Sequence, residues 1–133
     1  MEATTMQPQD APRRNRAGLL EEITRSVVRL HKEYIGHGPT RARTYMSEDV
    51  VVCVLRGGFT RAERTLLERG RTEGVLQQRR AVDEALRQPL SDTIERLLGR
   101  RVVGFTSGVQ PAGELSTAVF LLEPATFGLG IAA

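Results

Sequence analysis

The feature that most constrains the fold is a run of six apolar residues at positions 50–55, four of which are valine. Valine has a restricted χ1 angle and packs well on a pleated surface, so the run predicts a β-strand. It is far too short to cross a bilayer, which takes about 20 apolar residues. A purely apolar strand is typical of the centre of a sheet, and we expect both of its faces to be covered. Gly57 and Gly58 end it.

The segment before this run alternates in character from residue 41 to residue 47. One side carries Ala42, Thr44 and Met46, and the other carries Arg41, Arg43 and Tyr45. A period of two predicts a half-buried strand, because successive side chains point to opposite faces. Residues 47–49 have the composition of a turn, so the two strands are predicted to form a hairpin.

An amphipathic helix precedes the hairpin. Its apolar positions recur three and four residues apart and are Leu20, Ile23, Val27, Leu30 and Tyr34. This spacing places them on one stripe, which could pack on the sheet or seat a partner helix. We expect the helix to begin at Ala17 or Gly18 and to end at Gly36 or Gly38.

Two further helices follow the hairpin. Thr60 and Glu63 have the spacing of a capping box and begin the first of them. Pro89 is predicted to kink the longer second helix, with Ser91 capping its continuation, and Gly99 is predicted to end it. The inward positions of these helices are predicted to be Leu66, Leu67, Leu76, Val82, Leu86, Leu90, Ile94 and Leu97.

Two more strands are predicted at residues 101–106 and 116–123, which gives the order α-β-β-α-α-β-β. The fold class is therefore α/β of the α+β type, with a four-stranded antiparallel or mixed sheet and helices packed on one face. We expect a disordered lead at residues 1–16, one domain at 17–123 and a flexible tail at 124–133. The 133 residues leave no room for a second domain.

The sequence offers no recognisable catalytic centre, and we expect no enzyme activity, no cofactor and no metal site. His31 and His37 are the only bases suited to neutral pH, and neither lies in a known motif. We expect both to face solvent. The single cysteine, Cys53, lies inside the apolar strand and is predicted to be a buried, unreactive thiol.

Arg41, Arg43 and Tyr45 form the candidate binding site, because their side chains are expected to project from one strand face. Two guanidinium groups about 7 Å apart along a strand could hold an anionic ligand or an acidic partner. The alternative is that the arginines pair with carboxylates of this chain, for which the candidates are Glu48, Glu63 and Glu68. Nucleic-acid binding would need more arginines on one face and more aromatic side chains for stacking.

The chain resembles a family of small bacterial and archaeal proteins, the C-subunit-like (MpsC-like) family of a sodium-translocating, membrane-potential-generating system. The resemblance covers roughly residues 18–123. It is carried in order by Gly38-Pro39, Ala42-Arg43-Thr44-Tyr45, Asp49-Val50-Val51-Val52, Thr60-x-Ala62-Glu63-x-Thr65-Leu66, Glu95-Arg96-Leu97 and Gly99-Arg100-Arg101-Val102-Val103. The family has no established catalytic residues, so only Arg43 and Tyr45 carry over, as positions of its hairpin.

The resemblance implies an accessory or regulatory subunit associated with cation or inorganic-carbon transport. From the sequence we expect a cytoplasmic interaction module that reaches the inner face of the membrane through a partner. A homodimer is predicted, with its interface at residues 116–123 or on the stripe of the first helix. Two other functions stay open: a sensor of a small anion such as phosphate, a nucleotide or bicarbonate, and nucleic-acid binding.

Overall fold

The structure is a computed structural model that describes residues 11–124, with side chains described from Arg16 onward. Its elements are α1 (Ala11–Ile35), β1 (Arg41–Ser47), β2 (Val50–Arg56), α2 (Arg61–Glu68), α3 (Thr72–Leu98), β3 (Val102–Gln110) and β4 (Leu115–Leu122). The predicted element order and the α+β fold class are confirmed.

Helix α1 begins at Ala11, earlier than the predicted start at Ala17 or Gly18. Pro12 lies in its first turn, where a missing N–H costs nothing. Arg16 in this early part donates to the carbonyl oxygen of Met46 on β1 at 2.6 Å. Residues 1–10 of the predicted lead and residues 125–133 of the predicted tail lie outside the described residues.

The four strands form one antiparallel sheet in the order β1-β2-β4-β3. Each hairpin contributes two neighbouring strands, and the hairpins join where β2 pairs with β4. Strand β4 is therefore an interior strand, and β1 and β3 are the edges of the described sheet. A register shift between Val102 and Gly104 leaves Val103 58% exposed on β3.

Helices α1 and α3 pack on one face of this sheet, where the hydrophobic core lies. The core side chains are Ile23, Val27, Val51, Cys53, Leu55, Leu86, Leu90, Ile94, Ala118, Phe120 and Leu122. The prediction that β2 is covered on both faces was wrong, because its burial alternates between buried and half-buried residues. Val50, Val52 and Val54 point away from the helices, and β-branched residues suit a pleated surface whether or not it is covered.

Two helical predictions also need correction. Helix α3 continues through Pro89, and Ser91 is buried inside it, so the prediction that Ser91 caps a continuation was wrong. The kink at Pro89 stays a prediction. The N–H that proline lacks would have bonded to the carbonyl of Ala85, which lies on the exposed side where water can satisfy it. In α2 the capping box of Thr60 and Glu63 is confirmed, but Leu66 is exposed and Glu63 is the buried side chain.

Candidate functional site

The sheet has a second face that no described helix covers, which we call the open face. The aliphatic side chains at its centre are Val50, Val52, Val54, Val119 and Leu121, and Leu115 lies at the end of β4 opposite Arg56. Strand pairing brings them together, since Val52 lies opposite Val119 and Val50 lies opposite Leu121. Tyr45 extends the same row from β1, where it pairs with Val52 and is 50% exposed. The open face therefore presents a continuous aliphatic centre.

One end of the open face carries three arginines, Arg41, Arg43 and Arg56, which we call the arginine cluster. Arg41 on β1 pairs directly with Arg56 on β2, and Arg43 lies two residues further along β1, opposite Val54. All three are exposed. They border a groove of about 570 Å³ lined by Thr40, Arg41, Ala42, Arg43, Tyr45, Val54 and Arg56.

The structure therefore brings together Arg41, Arg43 and Tyr45, the residues selected from the sequence, on one exposed face of β1. Their role in binding stays a prediction. The sequence reasoning missed Arg56, although a signal was available. In a hairpin the turn fixes which residues pair across the two strands. Counting pairs of residues outward from a tight turn between β1 and β2 places Arg56 opposite Arg41.

Close packing of the backbone positions the arginine cluster. Thr40 donates from both its N–H and its hydroxyl to the carbonyl oxygen of Arg56, at 2.8 and 3.1 Å. Gly58 has a φ of +87°, and a Cβ there would lie 3.0 Å from backbone atoms of Pro39. Only glycine fits such a conformation in this space. The chain entering β1 and the chain leaving β2 are thus held against each other.

The arginines of the cluster form no ion pair with any carboxylate in the part of the chain that the structure describes. The alternative that pairs them with Glu48, Glu63 or Glu68 therefore finds no support among these residues. The Arg43 guanidinium instead lies 5.6 Å from the centre of the Tyr45 ring. The positive charge of the cluster is left facing the groove.

Glu63 has another partner, Arg79, in a buried ion pair that the sequence reasoning missed. Two nitrogens of Arg79 donate to the two carboxylate oxygens of Glu63 at 2.8 Å, and one also donates to the carbonyl of Gly58. The guanidinium lies 4.1 Å from the centre of the Phe59 ring. Burial alone would raise the pKa of Glu63, but hydrogen bonds from Arg79 and the Thr60 N–H outweigh burial and lower it.

The prediction that His31 faces solvent was wrong, whereas His37 is exposed as predicted. His31 is buried four residues after Val27, and its Nδ1 donates to the carbonyl oxygen of Val27 at 2.9 Å. Because a carbonyl only accepts, Nδ1 carries the proton of the neutral ring. Burial lowers the pKa of His31, and the hydrogen bond to the Val27 carbonyl and, to a lesser extent, the Asp83 carboxylate oppose that shift without cancelling it. The spacing of Ile23, Val27 and His31 along α1 was the signal that placed this ring inward.

This histidine predicts a loss of stability in mild acid. The ordinary pKa of His31 is 6.5 and its folded-state pKa is lower. The stability is therefore complete above pH 6.5 and is lost as the pH falls toward the folded-state value, by up to about 1.4 kcal/mol per pH unit. We expect His31→Gln, which keeps a donor for Val27 but cannot titrate, to remove this loss.

Urea unfolding at a series of pH values checks the prediction, with His37→Gln as the control that keeps the wild-type dependence. Burial raises the pKa of Asp83, which favours the folded state as the pH falls, but Asp83 is present in all three proteins. The prediction would be contradicted if the free energy of unfolding fell equally steeply with pH below 6.5 in wild type and in His31→Gln.

The remaining reactive groups offer little chemistry. Cys53 is buried as predicted, and burial raises the pKa of its thiol to about 11, while a hydrogen bond with Thr44 acts in the opposite direction. A thiol with so high a pKa is a poor nucleophile at neutral pH. No three His, Cys, Asp or Glu side chains of the described residues are grouped so that they could hold a metal ion. None of the described helices is long and apolar enough to span a bilayer.

Comparison with known proteins agrees with the sequence resemblance. The model of a family described as "Na+-translocating membrane potential-generating system (MpsC)" matches residues 15–124. The chain is also similar to the uncharacterized protein YbcI of Bacillus subtilis (strain 168), with 28% identity over 96 residues that cover 70% of this chain and 76% of YbcI. No solved structure matches the chain. Because the family match spans both hairpins, α2, α3 and most of α1, this protein belongs to the MpsC family of the Na⁺-translocating membrane potential-generating system.

Proposed function

We propose that this protein is a non-enzymatic accessory subunit of a membrane potential-generating system and that it acts as a homodimer joined through the open face. We further propose that it works in the cytoplasm, at the inner side of the membrane, where its partner is a membrane subunit of that system. Family membership supports the association with the system. The aliphatic open face is the single observation that carries the proposal of a binding module.

The composition of the open face is unusual for a sheet surface in contact with water. Antiparallel sheets with one solvated face normally alternate apolar residues toward the core with polar residues toward solvent. Here the residues that alternate with the core of β2 are Val50, Val52 and Val54, and Val119 and Leu121 continue the surface on β4. Leu121 is exposed and the four valines are partly exposed. A contiguous apolar patch of this kind that stays accessible to solvent is typical of an interaction site.

A second copy of the chain suits the open face because the aliphatic centre is uncharged and can match an identical surface. A two-fold axis across the strands would keep the arginine clusters of the two copies at opposite ends of the interface. An axis along the strands would bring all their guanidinium groups together, which is unfavourable. The axis across the strands also leaves each arginine cluster at the rim of the dimer interface.

Of the two interfaces predicted from the sequence, the α1 stripe is unavailable and residues 116–123 reach the open face only in part. Ile23 and Val27 of the α1 stripe are fully buried in the core of the same chain. Residues 116–123 belong largely to the interior strand β4, so they offer no free strand edge. What remains available from that segment is its open-face row, which contains Val119 and Leu121.

Analytical ultracentrifugation over a range of concentrations tests the homodimer. Val52→Arg puts a charge in the aliphatic centre, and we expect it to yield a monomer while wild type is a dimer. The matched control is Gln77→Arg, which adds the same charge on the exposed side of α3 and should stay dimeric. Circular dichroism verifies that each variant is folded. A wild-type protein that stays monomeric at high micromolar concentration would remove the dimer from the proposal.

The accessory role needs a separate experiment. Wild type, Val52→Arg and Gln77→Arg are each co-expressed with the membrane subunits of the same system, which are then purified in detergent. We expect wild type and Gln77→Arg to co-purify in a fixed ratio to the membrane subunits. If wild type is absent from the purified complex, the accessory role is wrong, whatever the oligomeric state proves to be.

A further inference from the structure

We infer that Arg41, Arg43 and Arg56 form a binding site for a small, soluble, multiply charged phosphate compound. The proposal is independent of the docking role, because all three arginines come from one copy of the chain and lie at the end of the open face. Three observations carry it: the cross-strand pairing of like charges, the rigid backbone beneath them and the groove that they border.

The first observation is that Arg41 and Arg56 are direct neighbours across β1 and β2 on the same exposed side. Side chains in such a position have Cβ atoms about 5 Å apart, and like charges there destabilise the sheet. Arg43 adds a third guanidinium roughly 7 Å along β1. Acidic partners are absent for these three arginines among the residues that the structure describes. A bound anion would turn this repulsion into attraction.

The second observation is the fixed backbone at this end of the hairpin. The two hydrogen bonds from Thr40 to the Arg56 carbonyl and the close contact between Gly58 and Pro39 hold both strands in place. Binding loses less affinity to ordering when the groups that bind are already held together. By contrast, Arg100 contacts the turn end of the hairpin and donates hydrogen bonds to Asp49 and to two backbone carbonyls. Its positive charge is therefore already neutralised within the chain.

The third observation is the groove, whose volume of about 570 Å³ suits a small ligand. Its groups that can donate hydrogen bonds to a ligand are the three guanidiniums and the Tyr45 phenol. Guanidinium donors match the oxygen geometry of phosphate and carboxylate groups. Three of them favour a ligand with more than one negative charge, so a linked phosphate fits better than a monoanion such as bicarbonate.

Isothermal titration calorimetry with sodium pyrophosphate at low ionic strength tests the site. We expect wild type to bind pyrophosphate more tightly than orthophosphate, and orthophosphate more tightly than bicarbonate. Arg41→Ala, Arg43→Ala and Arg56→Ala should each weaken pyrophosphate binding about tenfold or more, which corresponds to one charge-assisted hydrogen bond. Arg96→Ala is the matched control, because Arg96 is exposed on α3 and lies on the other side of the sheet. It should bind like wild type.

Arg56→Glu separates a binding role from a structural one. A carboxylate opposite Arg41 should raise the melting temperature in the absence of anion, because it replaces cross-strand repulsion with attraction, and it should abolish pyrophosphate binding. Leu121→Arg puts its charge opposite Val50, at the other end of the open face from the arginine cluster. It should bind pyrophosphate as wild type does even when it is monomeric, so a failed dimer and a failed anion site give different results.

Three outcomes would overturn the proposal. The first is the absence of any heat of binding for wild type with pyrophosphate. The second is an equal loss of affinity in Arg96→Ala and in the variants of the arginine cluster. The third is binding to vesicles that contain phosphatidylglycerol without any response to pyrophosphate, which would assign the cluster to a lipid surface instead.

Discussion

Replacing Arg79 with methionine is expected to lower the free energy of unfolding by about 3–5 kcal/mol, because the substitution leaves the Glu63 carboxylate buried without a counter-charge. The side chains of Arg79 and Glu63 are each only 6% exposed. Methionine is unbranched and matches the aliphatic part of the arginine side chain, so the packing of that part is kept while the guanidinium is removed. The loss also includes the hydrogen bond to Gly58 and the contact with Phe59.

Two further variants show whether charge is the cause. Glu63→Gln in the Arg79→Met background removes the stranded carboxylate while keeping an acceptor for the Thr60 N–H, so it should recover part of the lost stability. Arg80→Ala breaks an exposed ion pair with Glu73 and should cost less than about 1 kcal/mol. Urea unfolding measures all of these. If Arg79→Met proves as mild as Arg80→Ala, the buried pair contributes little.

Phe120→Ala is expected to lower the free energy of unfolding by about 3–5 kcal/mol, since it removes a fully buried ring from the core. Phe120 lies on the helix side of β4, and its ring centre is 5.2 Å from that of Phe105 on β3. The change therefore removes apolar burial and an aromatic contact at once, and the close-packed neighbours can fill the space only in part.

The adjacent residue is the control for Phe120. Leu121 points to the open face and is 48% exposed, so Leu121→Ala should cost about 1 kcal/mol or less in the monomer. The two variants differ by one position on one strand and test which face of the sheet carries the core. The free energy of unfolding is measured with denaturant at low protein concentration, so that contacts between two copies do not contribute to the difference between the variants. Equal losses for the two variants would contradict the one-sided core.

The two proposals place different demands on neighbouring parts of one surface. The aliphatic centre is expected to join two copies, while the arginine cluster at the rim is expected to remain open to a small anion. Rim charges influence orientation and rates of association more than affinity. A ligand in the cluster could therefore adjust how copies or membrane partners meet without being part of the contact itself.

The element order, the first hairpin and the capping box were predictable from the sequence because each depends on neighbouring residues. A strand has a side-chain period of two, so the alternation from Arg41 to Tyr45 was enough to place these side chains on one face. Thr60 and Glu63 satisfy backbone groups only a few residues away. Glycine at positions 57, 58 and 99 ended elements for the same local reason.

Only the tertiary structure decided which surfaces are covered. The apolar stripe of a helix shows which side faces the core. How many neighbouring positions are also buried depends on what packs against the helix, and for this reason His31 and Arg79 are buried beside the apolar positions. The pairing of β2 with β4 joins residues far apart in the chain, and no local pattern specifies it. That pairing makes β4 an interior strand and gathers Val52 and Val119 into one open face. The sequence by itself therefore determined the helices and strands and where each one ends. Long-range packing decided which face of the sheet is covered, which charged side chains are buried and which surface is left for binding, because local periodicity does not encode contacts between distant residues.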